Sequence, residues 1–366
     1  MNEFRPGLEG VIAFQTEIAE PDREGGALRY RGVDIEELVG RYSYEKVWGL
    51  LVDESFEPGM PEPERYVLDR LTGNAPSDLQ AATARLSADW RLAKLVDIDA
   101  GQARDDLARL SAQMMSIVAQ AAAVHDGREP ASDEVVAEGT TCAEKFLLRW
   151  RGEADPKHVK AIDTYWICTA EHGLNASTFT ARITASTGAD CGAAMSAAVG
   201  ALSGPLHGGA PARVLPMLEE VGRTGDPEAY VKDILDRRGR IMGFGHRIYR
   251  AEDPRSRILK QTAKDLGSPR FEVAEALENA ALAELSKRKP DYVIATNVEF
   301  YSAVVLDVAE IPPDLTPAMF ACARVAGWSA HILEEKRTGR LIRPSAQYIG
   351  PGSRPASSVD GAPVRT

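Results

Sequence analysis

The segment that decides the fold class is TPAMFACARVAGWSAHILEEKRTG, residues 316–339. Thr316 is a favourable N-cap residue, Pro317 suits the first helical position, and Gly339 ends the segment after basic residues in its last turn. The interior is rich in alanine, with apolar residues at helical spacing. The segment therefore predicts one long α-helix over residues 317–337.

The same spacing recurs along most of the chain. Helical starts follow Asp34 and Ser43, and apolar residues three and four apart predict a set of further helices. These helices cover residues 103–123, 156–170, 191–203, 212–221 and 270–287. The chain is therefore expected to be mainly α.

Only residues 10–31 have a β pattern. The apolar run 11–18 predicts a first strand, turn residues fill 20–26, and residues 27–31 return as the second strand of a hairpin. Segments rich in turn residues, including 72–78 and 310–316, predict breaks between helices.

Composition excludes several classes of protein. The chain has 366 residues, 44% hydrophobic and 27% charged, which is typical of a soluble globular protein of two or three domains. A net charge of −11 repels phosphate backbones, so we expect no nucleic acid partner. The four cysteines include no CxxC pair, and no Cys or His residues have the spacing of zinc ligands, so we expect no metal site. So few cysteines are typical of a protein in a reducing compartment, so we expect a cytoplasmic location.

Two segments bear on membranes and targeting. The opening MNEFRPGLEG has no apolar core of a signal peptide. Residues 191–212 carry no Asp, Glu, Lys or Arg, but they are rich in alanine and glycine and are interrupted by proline. A membrane span needs about 20 strongly apolar residues, so we expect a buried helix followed by a loop.

One basic segment stands out in the acidic chain. Residues 237–260 hold seven Arg and one Lys against Glu252 and Asp253, a local charge of +6. This run could be a solvated helix face. It also contains Gly243 and Gly245, and glycines let backbone N–H groups approach an anion closely. A dinucleotide fingerprint would need a third glycine, so a small anionic ligand fits better.

Three further residues each allow two interpretations. His207 is either a structural histidine with satisfied hydrogen bonds or a functional one. It lies among Gly204, Gly208 and Gly209, which leaves little to pack against it and favours a functional role. The start of the following helix would lower its pKa, so that a neutral ring could donate a hydrogen bond. Arg324 either extends towards water from its alanine-rich helix or binds a buried carboxylate.

Glu299 either favours the N-terminus of a helix capped by Asn297 or is a functional acid. The sequence has no GxSxG, Walker A or HExxH motif. Serine hydrolase, P-loop and zincin chemistries therefore lack their central residues.

Taken together, these segments resemble the citrate synthase family over residues 7–350. The N-terminal hairpin, three histidine segments, an acidic segment and two late arginines follow one another in the family's order. They are Gly7 to Gly32, His172 to Thr178, Gly204 to Gly209, Gly243 to Arg255, Asn297 to Tyr301, Arg324, and Arg343 with Pro344.

The resemblance implies condensation of acetyl-CoA with oxaloacetate to citrate and CoA, without a further cofactor. Its implied catalytic residues are His207, His246 and Glu299. Its implied oxaloacetate ligands are His172, His246, Arg255, Arg324 and, from the second subunit of a homodimer, Arg343. Gly243, Gly245 and Arg250 are implied to contact CoA.

The resemblance also implies the domain organisation. Residues 1–208 and 311–350 would form a large domain, residues 209–310 a small mobile domain, and residues 351–366 a flexible tail. Two departures from the family stand out: Glu299 occupies the place of an aspartate, and Thr169 that of a frequent histidine. No N-terminal extension of the NADH-inhibited enzymes is present, so we expect a dimer without that regulation.

Two alternatives remain open. A 2-methylcitrate synthase would use propionyl-CoA on the same scaffold, and one methylene changes binding by only about 1–3 kcal/mol. A non-catalytic relative would bind oxaloacetate or CoA as a sensor, an interpretation supported only by the change at position 299.

Overall fold

The computed structural model describes residues 4–22, 24, 26–57, 59–64, 66, 71–208, 213–245 and 252–360. Within these ranges the chain is mainly helical, as predicted. Its helices α1 to α15 are, in order, Ile35–Leu38, Tyr44–Asp53, Ala75–Asp89, Ala100–His125, Asp133–Val136, Cys142–Arg151, Pro156–Thr169, Ala176–Ser186, Cys191–Leu202, Val214–Thr224, Pro227–Asp236, Pro254–Asp265, Phe271–Arg288, Val298–Val308 and Thr316–Thr338.

The β structure is a small antiparallel sheet near the N-terminus. Its strands are β1 (Ala19–Pro21), β2 (Leu28–Tyr30) and β3 (Val33–Asp34), in the order β1-β2-β3. The predicted second strand is confirmed, but the predicted first strand over 11–18 is wrong. The run has no partner strand: Ile12 is 89% exposed, Phe14 packs against Phe179, and Glu17 N donates to the side chain of Glu334.

Short polar side chains begin most of the helices. Asp and Asn residues at N-cap positions accept hydrogen bonds from backbone N–H groups of the first turn, which satisfies donors that the helix leaves unpaired. These caps are Asp34, Asn74, Asp99, Asp155, Asn175, Asp190, Asp226, Asp253 and Asn297.

Two helix boundaries differ from the sequence prediction. The predicted break at 72–78 contains the start of α3, because Asn74 caps that helix and Asp78 accepts a hydrogen bond from Thr72 N. The cap predicted at Thr316 is wrong: Thr316 is the first residue of α15 and Leu315 precedes it without a capping side chain. A 3₁₀ turn, Pro313–Leu315, runs directly into the helix there.

Helix α15 lies at the centre of the fold. It packs against α2, α4, α7, α8 and α9, and most of its residues are buried, including Trp328. Helix α4 is the one helix of the described ranges that is long and apolar enough to cross a membrane, and 89% of its apolar window is buried inside the protein. The uncharged segment of residues 191–212 contributes the 12-residue helix α9, as predicted.

Candidate active site

A cavity of about 170 Å³ lies where α7 ends and α8, α12 and α14 begin, against the middle of α15. Five residues predicted from separate motifs line it: His172, His207, Arg255, Glu299 and Arg324. The remaining lining residues are Tyr165, Thr169, Asn175, Leu206, Val298, Ser302 and Phe320. The fold thus brings two arginines, two histidines and one acid to a single cleft.

Arg324 is buried in this cleft with one nitrogen unpartnered. Its side chain is 2% exposed, so the alternative in which it extends into water is wrong. Nε donates to the Thr169 carbonyl at 2.6 Å, whereas Nη1 has no partner among the described residues. Burial lowers the pKa of Arg324 from its ordinary value. Such a group is costly to bury alone, so a negatively charged ligand in the cleft would stabilise it.

Arg255 is held by the residue that caps its own helix. Asp253 accepts two side-chain hydrogen bonds from Arg255, at 3.0 Å from Nε and 2.9 Å from Nη2. Asp253 Oδ2 also accepts from Val298 N at 3.0 Å, at the start of α14. One carboxylate therefore fixes both the guanidinium of Arg255 and the first turn of the helix that carries Glu299.

Glu299 lies in the first turn of α14. Asn297 caps this helix and accepts a hydrogen bond from Glu299 N at 3.0 Å, so the predicted cap is confirmed. The Glu299 carboxylate itself accepts no hydrogen bond from the residues that the structure describes. Burial raises its pKa; nearby Arg255 opposes this and Asp253 adds to it. A carboxylate with a raised pKa and free oxygens has the properties of a general base.

His207 contacts the N-terminus of α8. Its Nε2 is 3.4 Å from Ser177 N and 2.9 Å from Ser177 Oγ. Burial, together with the charge of Arg324, lowers the pKa of His207 to about 4. A lowered pKa agrees with the sequence prediction, but these two causes replace the expected effect of the following helix, whose approach over 209–212 lies outside the described residues.

The contact with Ser177 also assigns the tautomer of His207. A backbone N–H can only donate, so Nε2 accepts and the proton of the neutral ring lies on Nδ1. Within the described part of the chain, Nδ1 has no partner. The neutral ring can therefore donate a hydrogen bond to a ligand oxygen.

His172 lies in the turn between α7 and α8 and is 6% exposed. Tyr30 of β2 fixes this turn: its hydroxyl donates to the Ile167 carbonyl at 2.9 Å and accepts from Glu171 N at 3.3 Å. The sheet thus positions a residue of the cleft.

Three of the remaining predicted site residues, Gly243, Gly245 and Arg343, do not line the cleft. His246 and Arg250 fall outside the described residues. Gly243 and Gly245 have φ of 88° and 82°, a region that favours glycine. Gly245 N donates to the Ala295 carbonyl at 2.8 Å, so this N–H is not free for an anion, contrary to the sequence expectation. Arg343 is exposed and does not line the cleft of its own chain.

Sequence reasoning assigned no role to Tyr165, Asn175, Ser177, Asp253 or Ser302. The sequence did carry a signal for Asp253, since Asp-Pro marks the start of a helix. Ser177 lies within the first histidine segment, but its contact with His207 depends on the fold. Ser302 had no signal in the sequence. Within the described ranges no cluster of His, Cys, Asp and Glu could hold a metal ion.

A larger groove of about 520 Å³ lies elsewhere, beside α2, α4 and α15. Four basic side chains line it, and each donates to a carboxylate or carbonyl nearby: Arg31, Arg104, Lys336 and Arg337. The groove is therefore a less suitable anion site than the cleft.

The fold and the cleft define a mainly α protein in which two arginines, two histidines and a glutamate share one cleft, and comparisons with known proteins identify its family. The family model for "Citrate synthase, C-terminal domain" matches residues 7–345. A Mycobacterium tuberculosis protein named "Putative citrate synthase 2" is 58% identical over 360 residues, which are 98% of this chain and 96% of that protein. The citrate synthase of Haloferax volcanii is 36% identical over 385 residues, covering 98% and 99%.

A solved structure agrees with these relatives. The citrate synthase of Thermoplasma acidophilum, in a ternary complex with carboxymethyl coenzyme A and oxaloacetate, superimposes with a TM-score of 0.82 at 28% identity. The match covers 96% of this chain and 98% of that chain. This chain belongs to the citrate synthase family, and the predicted resemblance is confirmed.

Proposed function

We propose that this chain condenses acetyl-CoA with oxaloacetate and hydrolyses the resulting citryl-CoA to citrate and CoA. The observation that carries this proposal is the convergence of Arg324, His207 and Glu299 on one cleft. These groups supply a cation for a carboxylate, a neutral hydrogen-bond donor and a base. Family membership supports the same reaction.

Oxaloacetate is a dianion, and the buried arginines provide its binding site. Arg324 has an unpartnered nitrogen for one carboxylate, and Arg255 lies in the same cleft. Planar guanidinium groups bind carboxylates through paired hydrogen bonds. The partner subunit's Arg343 completes the clamp, while His172 and His246 are assigned to the substrate by resemblance to the family.

Glu299 removes a proton from the acetyl methyl group. This proton is very weakly acidic, so a carboxylate can remove it only if the developing oxyanion is stabilised by donors already in place. Nδ1–H of His207 provides such a donor to the thioester oxygen. The new carbanion forms a bond to the keto carbon of oxaloacetate, whose oxygen, polarised by His246, takes up a proton. Water then cleaves the thioester and releases CoA.

The domain assignment belongs to the same proposal. Residues 209–310 form a small domain that closes over the cleft and excludes water, which protects the thioester and the enolate. By resemblance to the family, Arg250, Gly243 and Gly245 are assigned to CoA, although the Gly245 N–H, which donates to Ala295, is not one of the contacts. Helices α10, α11 and α13 of this domain pack against one another. We further propose that the enzyme is a homodimer, that it acts in the cytoplasm as part of the tricarboxylic acid cycle, and that it needs no cofactor.

Paired steady-state assays test the reaction and its acyl substrate. Purified protein is given oxaloacetate with acetyl-CoA or propionyl-CoA, and release of the CoA thiol is followed. We expect the higher kcat/KM with acetyl-CoA, with some turnover of propionyl-CoA. A clear preference for propionyl-CoA would indicate a 2-methylcitrate synthase. Binding of oxaloacetate without turnover of either thioester would indicate a sensor.

A further inference from the structure

Behind the cleft, α8, α15 and the turn before α8 bury a charged cluster that the proposed mechanism does not use. It contains one arginine, one histidine and three glutamates, each at most 5% exposed. Its members are Glu171, Arg182, His331, Glu334 and Glu335.

One end of this cluster is well paired. Arg182 donates from Nη1 to Glu334 Oε2 at 2.6 Å and from Nε to Glu335 Oε2 at 2.9 Å. Glu334 Oε1 in turn accepts from Thr16 Oγ1 and Glu17 N, which fastens the N-terminal segment. The end of the cluster formed by Arg182, Glu334 and Glu335 is therefore structural: it holds α8, α15 and the N-terminal segment together.

A second branch of hydrogen bonds leads from Arg182 through His331 towards the cleft. Arg182 can only donate, so His331 Nδ1 accepts from its Nη1 at 3.0 Å. The neutral ring of His331 then carries its proton on Nε2. This proton is donated to Glu171 Oε1 at 3.2 Å. The chain ends on the residue directly before His172.

The other oxygen of Glu171 has no partner among the described residues. It lies directly against α15, because a Cβ atom at Gly327 would be 2.1 Å from Glu171 Oε2. Arg324 is one helical turn before Gly327, and its Nε is bonded to Thr169, two residues before Glu171. A buried, partly unpaired carboxylate is costly, so its presence beside the anion clamp calls for an explanation.

We infer that Glu171 sets the affinity of the clamp: its buried negative charge offsets part of the positive charge of Arg324 and weakens the binding of a dianionic substrate. The two groups interact by charge without a hydrogen bond, since Glu171 Oε2 and Arg324 Nη1 are both unpartnered. In agreement, the charge of Glu171 raises the pKa of Arg324 against the effect of burial. In a low-dielectric interior such an interaction is only weakly screened. This inference rests on the proposed function.

The test removes the charge and keeps the shape. Calorimetry measures the Kd of two ligands: oxaloacetate, and pyruvate, which is a 2-oxo acid with one negative charge. Each is measured for the wild type, Glu171→Gln and Glu335→Gln. Glu335→Gln is the matched control, since it changes a buried glutamate at the far end of the same cluster. Glu171→Gln should bind oxaloacetate about tenfold more tightly and pyruvate about threefold, because the charge effect scales with ligand charge. Glu335→Gln should change neither Kd by more than about twofold.

Kinetics add a second measurement that a purely structural role would not produce. Glu171→Gln should lower KM for oxaloacetate and leave KM for acetyl-CoA unchanged. If Glu171→Gln does not fold, Glu171→Ser, which leaves room for water, should show the same direction.

An unchanged or weaker affinity of the charge-removed variant for oxaloacetate would overturn the inference and leave Glu171 a structural residue. Failure of the wild type to bind oxaloacetate would instead contradict the proposed function.

Discussion

Nε2 of His207 lies 3.4 Å from the backbone nitrogen of Ser177 in the first turn of α8. This nitrogen is one of the donors that a helix leaves unpaired at its N-terminus. Burial and the charge of Arg324 keep the imidazole neutral, and accepting from Ser177 N places its proton on Nδ1. A helix end thus fixes the tautomer that the proposed reaction requires.

The first prediction concerns the pH dependence of stability. The pKa of His207 falls from 6.5 to about 4 in the folded protein, so between these values the unfolded chain binds the additional proton. The free energy of unfolding should therefore decrease as the pH falls from 6.5 to 4, with this residue contributing up to about 1.4 kcal/mol per pH unit. Denaturant titrations across this range should give a shallower slope for His207→Gln. Identical slopes would show that the ring is not held neutral.

The second prediction concerns the anion clamp. Arg324→Leu should weaken oxaloacetate binding at least about 100-fold, because it removes the buried guanidinium that faces the ligand. Arg337→Leu is the matched control, since Arg337 is on the same helix but exposed, and its Kd should match wild type. Calorimetry gives both values, and circular dichroism checks the fold. Wild-type affinity in Arg324→Leu would remove Arg324 from the site.

The third prediction concerns assembly. If Arg343 acts in the partner's cleft, Arg343→Leu and His207→Ala should each be inactive alone. A mixed dimer then contains one intact cleft, so subunit exchange between equal amounts should restore about a quarter of wild-type activity. Native mass spectrometry shows whether exchange has occurred. Mixed dimers without activity, or an active monomer by light scattering, would contradict the proposed arrangement.

The sequence predicted the features that depend on local pattern. The helix around Arg324 was evident from its spacing and its terminal residues, and the cap at Asn297 follows from residue type alone. The candidate residues of the cleft were found because each lies in a motif. His207 was predicted to be functional from its glycine-rich surroundings and neutral from the helix that follows it, whereas burial and Arg324 are the causes of its lowered pKa.

Features that depend on contacts between distant segments were not predicted. The contact of Ser177 with His207 requires α8 to lie against the loop after α9. The contact of Glu171 with Gly327 requires the turn before α8 to pack against α15. Burial of the Arg324 side chain likewise depends on α7 covering it. The incorrect strand over 11–18 has the same origin, since an apolar run forms a strand only where a partner strand is available.

The fourth prediction concerns the length of the acid at position 299. Glutamate is one methylene longer than the aspartate usual in the family, and a misplacement of about 1 Å can change a rate about 100-fold. We expect the cleft to be built for the longer side chain, so Glu299→Asp should reduce kcat. Steady-state kinetics with acetyl-CoA give the comparison. A variant much faster than wild type would show that the native enzyme is a weakened catalyst.

The central claim is that the cleft is catalytic and that Glu299 is its base. The most direct measurement is kcat of Glu299→Gln with acetyl-CoA and oxaloacetate. Calorimetry gives the Kd of the same variant for oxaloacetate. The control is Glu310→Gln, since Glu310 is exposed. The account predicts that Glu299→Gln keeps its fold and binds oxaloacetate, but turns over at least about 100-fold more slowly, while Glu310→Gln behaves as wild type. A near wild-type kcat for Glu299→Gln would contradict the account, because the proton would then be removed by another group.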